Sequence, residues 1–293
     1  MPLPQRVKIA EQLIHRLEWD GLDRGAIRRL IELAHDEAQR DTGAFENQSG
    51  AQRSSAEFQA AGNLVFCGAA LLPLVASAFG IKGEVRVRAA DGATAGVGAV
   101  IAALASPAAE LRIAAQVAHA FVTRLSGIAT FARRHVDALG GGRTRLLDDG
   151  ATTPGWCTLE RFALACGGAW SGGGSTGRIR IEVDPRETSR LEAAVRRARE
   201  AAADVPVELI VRRPADVDAA VATSPDLIRL EGFGIGAIRD GVACVGGRAF
   251  VEAHGGITLA NLASHAGLGL DFVSVDGLVT DAVRAPIKWI WRE

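Results

Sequence analysis

Between residues 145 and 275, short β-rich runs return repeatedly with amphipathic helical segments between them, and this alternation limits the fold more than any other feature of the chain. The strand candidates are 145–148, 178–183, 207–211, 227–230, 249–252 and 272–275. Segments such as 187–203 and 215–222 carry apolar residues at helical period. Strands separated by helices do not return as hairpins; they pair in parallel through crossover connections. A spacing of about 20 to 30 residues suits an α/β barrel or an open doubly wound sheet.

Ahead of this region the rhythm differs. Ile9, Leu13 and Leu17, then Ile27, Leu30, Ile31 and Ala34, recur at helical spacing and predict two helices over 5–41. A polar loop follows over 41–53, marked by Gly43, Asn47, Ser49 and Gly50. An apolar run at 63–67 leads into a predicted helix at 69–79. Over 82–88, Val85 and Val87 alternate with Glu84, Arg86 and Arg88, the pattern of a half-buried strand, and Asp91-Gly92 turns the chain into 95–104. These elements describe a small α/β sandwich over 1–113. The tail, where Ile287, Trp289 and Trp291 alternate with Lys288 and Ile290, is expected to complete it from 280–293. A long helix over 107–139 then opens a barrel domain at 114–279.

The 293 residues are 48% hydrophobic, enough for a sizeable core, and 33 basic residues balance 34 acidic ones. That balance offers no attraction for nucleic acid or an anionic membrane. The first residues lack a continuous apolar run, and the most apolar stretch, 63–80, is too short for a bilayer, so a cytoplasmic protein is expected. Cys67, Cys157, Cys166 and Cys244 show no C-x-x-C spacing and read as small apolar side chains rather than metal ligands.

Several segments are motifs rather than patterns. Phe121-Val-Thr-Arg-Leu-Ser-Gly-Ile-Ala-Thr130, Thr152-Thr-Pro-Gly155 and the helix-glycine run Leu159-Glu-Arg-Phe-Ala-Leu-Ala-Cys-Gly-Gly168 resemble signatures of the quinolinate phosphoribosyltransferases. Glu252-Ala-His-Gly-Gly-Ile257 and Asp271-Phe-Val-Ser-Val-Asp-Gly277 resemble that family's two phosphate loops. The resemblance implies an α/β barrel with an N-terminal α/β sandwich, a homodimer with the long helix at its interface, and a phosphorylated small-molecule ligand. His254, Gly255, Gly256, Ser274, Asp276 and Gly277 would hold the phosphate. The family joins quinolinate to phosphoribosyl pyrophosphate with Mg²⁺ and releases nicotinate mononucleotide. Glu208 matches one member of its acidic pair and Glu231 replaces the aspartate, which makes Glu208, Glu231 and His254 the catalytic candidates.

Both family substrates are polyanions, and such ligands need convergent arginine, lysine and histidine. In this sequence the matching positions carry Asp148-Asp149-Gly150-Ala151, Gly172-Gly173, Gln116 and Val183 or Glu182. One charge-assisted contact is worth about 1.5 to 3 kcal/mol, so losing several removes more binding than the ordinary quinolinate reaction can spare. Arg143, Arg145, Arg178, Arg180, Arg212 and Arg213 stand at or near the strands. In Arg178-Ile-Arg-Ile-Glu-Val-Asp184 the charges share one face. Two outcomes are open: Arg178 and Arg180 pair with Glu182 and Asp184, or they point into the barrel and rebuild an anion site. His254 reads equally as an anion or acid/base group and as a hydrogen-bonded structural histidine. The glycine run 172–177 follows a helix and precedes a strand, the wrong order for a nucleotide loop, and reads as a lid or tight connection. Asp148 and Asp149 read as a solvated loop, and His119 and His135 as packing or interface residues of the long helix.

Overall fold

A computed structural model describes residues 14–15, 18–41, 53–148, 150–172, 178–184, 186 and 188–292. In chain order its main elements are α1 (Arg24–Asp41), β1 (Arg53–Ala60), α2 (Leu72–Ala78), β2 (Glu84–Val87), β3 (Val100–Pro107), α3 (Ala108–Ala138), β4 (Arg145–Leu147), α4 (Cys157–Gly167), β5 (Ile179–Glu182), α5 (Thr188–Ala201), β6 (Val207–Val211), α6 (Val217–Ala222), β7 (Leu227–Glu231), α7 (Ile235–Val245), β8 (Phe250–His254), β9 (Phe272–Ser274) and β10 (Ile287–Arg292). Residues Ile9, Leu13, Leu17, Gly43, Asn47, Ser49, Gly50 and Asp149, together with 173–177 of the glycine run, lie outside the described residues.

The chain forms two compact units, 1–16 with 134–151 and 169–277, and 17–133 with 152–168 and 278–293. Helix α3 as far as Arg133, and all of α4, group with the sandwich residues.

In the first unit six parallel strands run in the order β4-β9-β8-β7-β6-β5. The first strand pairs with the last, Ser274 opposite Leu147, which is the pairing that curls a sheet toward a barrel. Trp170 makes a parallel bridge to Leu147 on the outer side of β4. Ile14-His15, expected to be helical, instead pairs antiparallel with Ser171-Gly172.

Two aspartates fix the strand starts. Asp226 accepts the Val207 amide at 2.8 Å and Asp271 accepts the Val251 amide at 3.0 Å, so the residue ahead of each of β7 and β9 locks the opening of a neighbouring strand. Alternate residues then face one side, and Leu147, Leu227, Phe250 and Phe272 build an apolar layer there, with Trp170 against it. Helix α7, which no sequence pattern announced, packs close to β7: a Cβ on Gly241 would sit 3.0 Å from Leu230 Cδ1.

The second unit holds an antiparallel sheet in the order β10-β1-β3-β2. The C-terminal strand does return to it, with Trp289 opposite Phe58. Strand β2, expected to be half-buried, is an edge strand exposed along most of its length; Val87 is 39% exposed, and Glu84 and Arg86 pair with each other at 2.6 Å.

The motif Arg124 to Thr130 is part of this unit's frame. Arg124 donates to Glu160 at 2.9 Å and to the Val279 and Ala282 carbonyls, while Glu160 accepts both the amide and the hydroxyl of Thr153. Ser126 pairs with both backbone groups of Cys67, and Thr130 accepts the Val65 amide. Gly127 has no room for a side chain, because a Cβ would lie 2.1 Å from the Val283 carbonyl oxygen. Two of the most recognisable sequence motifs, Arg124 to Thr130 and Thr152 to Gly155, are thus tied together as scaffold. His119 belongs to packing here, with Nε2 2.7 Å from the Ile287 carbonyl oxygen. No described helix is long and apolar enough to cross a membrane.

Candidate functional site

Above the apolar layer of the parallel sheet, the inward-facing positions turn polar. The strand registers set Arg180 opposite Glu208, Arg229 opposite Glu252 and Glu231 opposite His254. Since facing residues in parallel register share a side, these charges converge on one interior.

Arg178 stands at the centre. Its Nη1 donates to Glu252 Oε2 at 2.9 Å and its Nε lies 3.2 Å from Glu208 Oε2, with 2% of the arginine side chain and none of either glutamate exposed. The Nε contact is at ion-pair distance but is not aligned as a hydrogen bond. Arg180 donates to Glu208 at 3.0 Å, and Ser274 Oγ donates to Glu252 Oε1. Neither arginine pairs with Glu182 or Asp184: Glu182 is taken by Arg212 at 3.1 Å. The charged face of β5 does point inward, and the carboxylates of β6 and β8 meet it there. The guanidiniums are compensated by the barrel's own acids before any ligand arrives.

Arg229, which sequence reasoning passed over, completes the interior. Its Nε donates to Glu231 Oε2 at 2.8 Å, and Nη1 lies 4.0 Å from Glu208 Oε1. The signal was present in Leu227-Ile-Arg-Leu-Glu231, where Arg229 and Glu231 alternate with apolar residues and so share a face. Of the other arginines, Arg213 grips Asp216 with two bonds of 2.8 Å, Arg143 pairs with Asp271 at 2.6 Å, and Arg145 donates to the Gly142 carbonyl. None of these three reaches the interior cluster.

At the C-terminal end of β8, His254 bridges two acids. Its Nδ1 is 3.2 Å from Glu231 Oε1 and its Nε2 is 3.0 Å from Asp276 Oδ1, the second contact lacking hydrogen-bond alignment. An imidazole between two carboxylates can relay a proton. Gly255, Gly256 and Gly277 all take left-handed conformations, and Gly255 turns so closely over Gly232 that an added Cβ would lie 3.0 Å from the Gly232 nitrogen. The phosphate-loop residues His254, Gly255, Gly256, Ser274, Asp276 and Gly277 therefore sit at the ends of two adjacent strands, β8 and β9. Their environment is acidic, however, because Asp276 is 70% exposed beside the turn.

The two candidate glutamates are tuned in opposite directions. Burial, followed by the adjacent Glu252 charge, pushes Glu208 above its ordinary value, although Arg178 and Arg180 pull the other way. Burial also works upward on Glu231, but Arg229 and His254 outweigh it and hold that carboxyl low. The two carboxyls thus sit in environments that shift them apart.

Polar atoms remain unsatisfied inside the cluster: Arg178 Nη2 and Glu208 Oε1 are buried without a hydrogen-bond partner. The carboxylates form no metal-binding group among the described residues, since each is already engaged by a guanidinium or by His254. Asp148, expected in a solvated loop, is buried to 4% exposure and accepts the Gly150 amide at 2.7 Å. Gln116 is exposed on α3, and Val183 is buried at the end of β5, so neither supplies the missing cations.

The family model for the quinolinate phosphoribosyl transferase C-terminal domain matches residues 128–286. The chain is 30% identical over 249 residues to a probable carboxylating nicotinate-nucleotide pyrophosphorylase of Bacillus subtilis, covering 83% of this chain and 86% of the relative. It is 32% identical over 213 residues to the Mycobacterium leprae nicotinate-nucleotide pyrophosphorylase, covering 70% and 74%. The solved nicotinate-nucleotide pyrophosphorylase of Francisella tularensis superposes with a TM-score of 0.86 at 20% identity, over 95% of this chain and 100% of the other.

Proposed function

Because this chain belongs to the quinolinate phosphoribosyltransferase family, we propose that it binds and acts on a phosphorylated small molecule of cofactor biosynthesis carrying less negative charge than quinolinate and phosphoribosyl pyrophosphate. One observation carries the reading. Arg178 Nη2 and Glu208 Oε1 are buried without a hydrogen-bond partner in a cluster of ion pairs. Buried polar atoms of this kind are rare, and a purely structural barrel has no use for a free donor beside a free acceptor. A ligand group that both accepts and donates, such as a hydroxyl or amide, satisfies them without bringing charge.

The phosphate would rest on Gly255, Gly256 and Gly277, and the Glu231–His254–Asp276 chain would move a proton at the strand ends. Mg²⁺, which the family resemblance implies, would have to come with the ligand's own phosphates, because the interior acids are occupied by arginines. We propose a homodimer in the cytoplasm, as the family resemblance implies. The relatives' activity, carboxylating nicotinate-nucleotide pyrophosphorylase, is the competing reading, favoured by identity of about one third over most of the chain.

Thermal-shift screening of the purified protein separates them. Stabilisation by a phosphate monoester whose only charged group is that phosphate, with none from quinolinate plus phosphoribosyl pyrophosphate and Mg²⁺, supports the proposal. The opposite ranking refutes it.

A further inference from the structure

Cys67 and Cys166 are 99 positions apart and share no motif, yet the second unit brings their Sγ atoms and a carboxylate oxygen of Asp91 within 4.8 Å of one another. All three are held from behind. Ser126 Oγ accepts the Cys67 amide at 3.0 Å and donates to the Cys67 carbonyl at 3.2 Å. The Asp91 carboxylate accepts the amides of Gly68, Ala69 and Ala70, at 2.5, 2.9 and 3.2 Å. Cys166 lies on α4, whose position is fixed where Gly167 meets α3 so closely that a Cβ would fall 2.5 Å from the Ala129 carbonyl oxygen. The Asp91-Gly92 turn lies against Cys166, with a Cβ at Gly92 only 3.4 Å from its carbonyl oxygen.

We propose that Cys67, Asp91 and Cys166 form a binding site for a thiophilic divalent cation of the zinc class, with water in the fourth position. Two sulfurs and one carboxylate match the preference of such a cation for tetrahedral soft and borderline donors, and exclude the hard octahedral Mg²⁺. The backbone amides orient Asp91 as outer-shell partners orient metal ligands generally. Cys67 is fully buried, while Asp91 and Cys166 are partly exposed and give the ion a route in. On binding, each thiol releases its proton to solvent as its sulfur–metal bond forms, with no change of oxidation state. The cation then clips the turn at 67–70 to α4, independently of whatever the parallel sheet binds.

The test uses the full chain, reduced with a non-thiol phosphine and stripped of metal. Titration with Co²⁺ is expected to give a thiolate-to-cobalt charge-transfer band saturating near about one equivalent per chain. Zn²⁺ should displace it and raise the thermal midpoint. Cys166→Ser and Asp91→Asn should each weaken binding by roughly tenfold or more, and Cys67→Ala, a small apolar replacement at a buried site, should abolish the band while the protein still folds. Cys157→Ser and Cys244→Ser should leave it unchanged. A folded wild-type chain with no thiolate band overturns the proposal, as does equal Zn²⁺ retention by wild type and Cys166→Ser. A mass loss of two hydrogens under diamide in a protein that shows no cobalt band would assign the pair to a disulfide and overturn it as well.

Discussion

Arg178 meets Glu252 through Nη1 and Oε2 at 2.9 Å in a setting where 2% of one side chain and none of the other reaches solvent. With Glu208 on its Nε side, the same guanidinium is flanked by two buried carboxylates.

Replacing it should expose that arrangement. Arg178→Met leaves Glu208 and Glu252 buried without their shared cation, and breaking a buried pair on one side typically costs about 3 to 5 kcal/mol. The deficit depends on pH in a definite direction. Glu208 already sits above its ordinary value of 4.5. A carboxyl raised in the folded state contributes stability that is fully present below the unfolded value and lost as pH rises through the folded one. Removing Arg178 raises Glu208 further, so urea unfolding should show the variant nearest to wild type at the acid end and increasingly deficient toward neutral pH. A deficit that is constant with pH would contradict the assignment.

Asp276 places an exposed carboxylate in the proposed phosphate loop. Asp276→Gly removes one exposed negative charge beside Gly277 and frees His254 Nε2. At an effective dielectric near 20 to 80, one charge at a few ångströms is worth about 1 to 4 kcal/mol before screening, so phosphate affinity should rise by roughly tenfold. Calorimetric titration with inorganic phosphate checks this, and unchanged affinity would remove the loop from the proposed site.

Arg124 and Glu160 hold the Thr153 turn and the segment 279–282 together. Arg124→Ala should cost about 3 kcal/mol or more, because Glu160 is 1% exposed and would be left buried without its partner. Glu160→Gln, which keeps one acceptor oxygen for the Thr153 amide and leaves Arg124 bonded to the Val279 and Ala282 carbonyls, should cost less. Chemical denaturation that ranks the two variants the other way would mean that Arg124 does not matter for the fold.

Gly127→Ala forces a methyl to within 2.1 Å of the Val283 carbonyl oxygen. Overpacking against backbone costs about 1 to 3 kcal/mol, which should lower the thermal midpoint by several degrees. Scanning calorimetry that finds the variant as stable as wild type would show that 283–285 yields freely.

The parallel sheet was legible because its strands are short, apolar and separated by helical segments, and the register of each is fixed where Asp226 and Asp271 bind a neighbouring strand's opening amide. Helix α7 was not legible, since Gly236 and Gly241 lower its intrinsic helix preference and its stability comes from packing on Leu230. Strand alternation put Arg178 and Arg180 on one face but left open whether that face points into the barrel, and it gave no sign of their partners. Glu208 and Glu252 lie 28 and 74 residues downstream of Arg180 and Arg178, and a pairing across strands depends on register, which no local pattern records. The Cys67–Asp91–Cys166 group was hidden for the same reason.

Arg178, Arg180 and Arg229 each pair with a glutamate of the same sheet, and the proposed function takes these pairs to weaken the barrel's grip on two polyanions. Direct assay of nicotinate mononucleotide formation from quinolinate and phosphoribosyl pyrophosphate with Mg²⁺ tests it most plainly. A rate at the no-enzyme background is expected, and sustained turnover abolished by Arg178→Met would contradict the account.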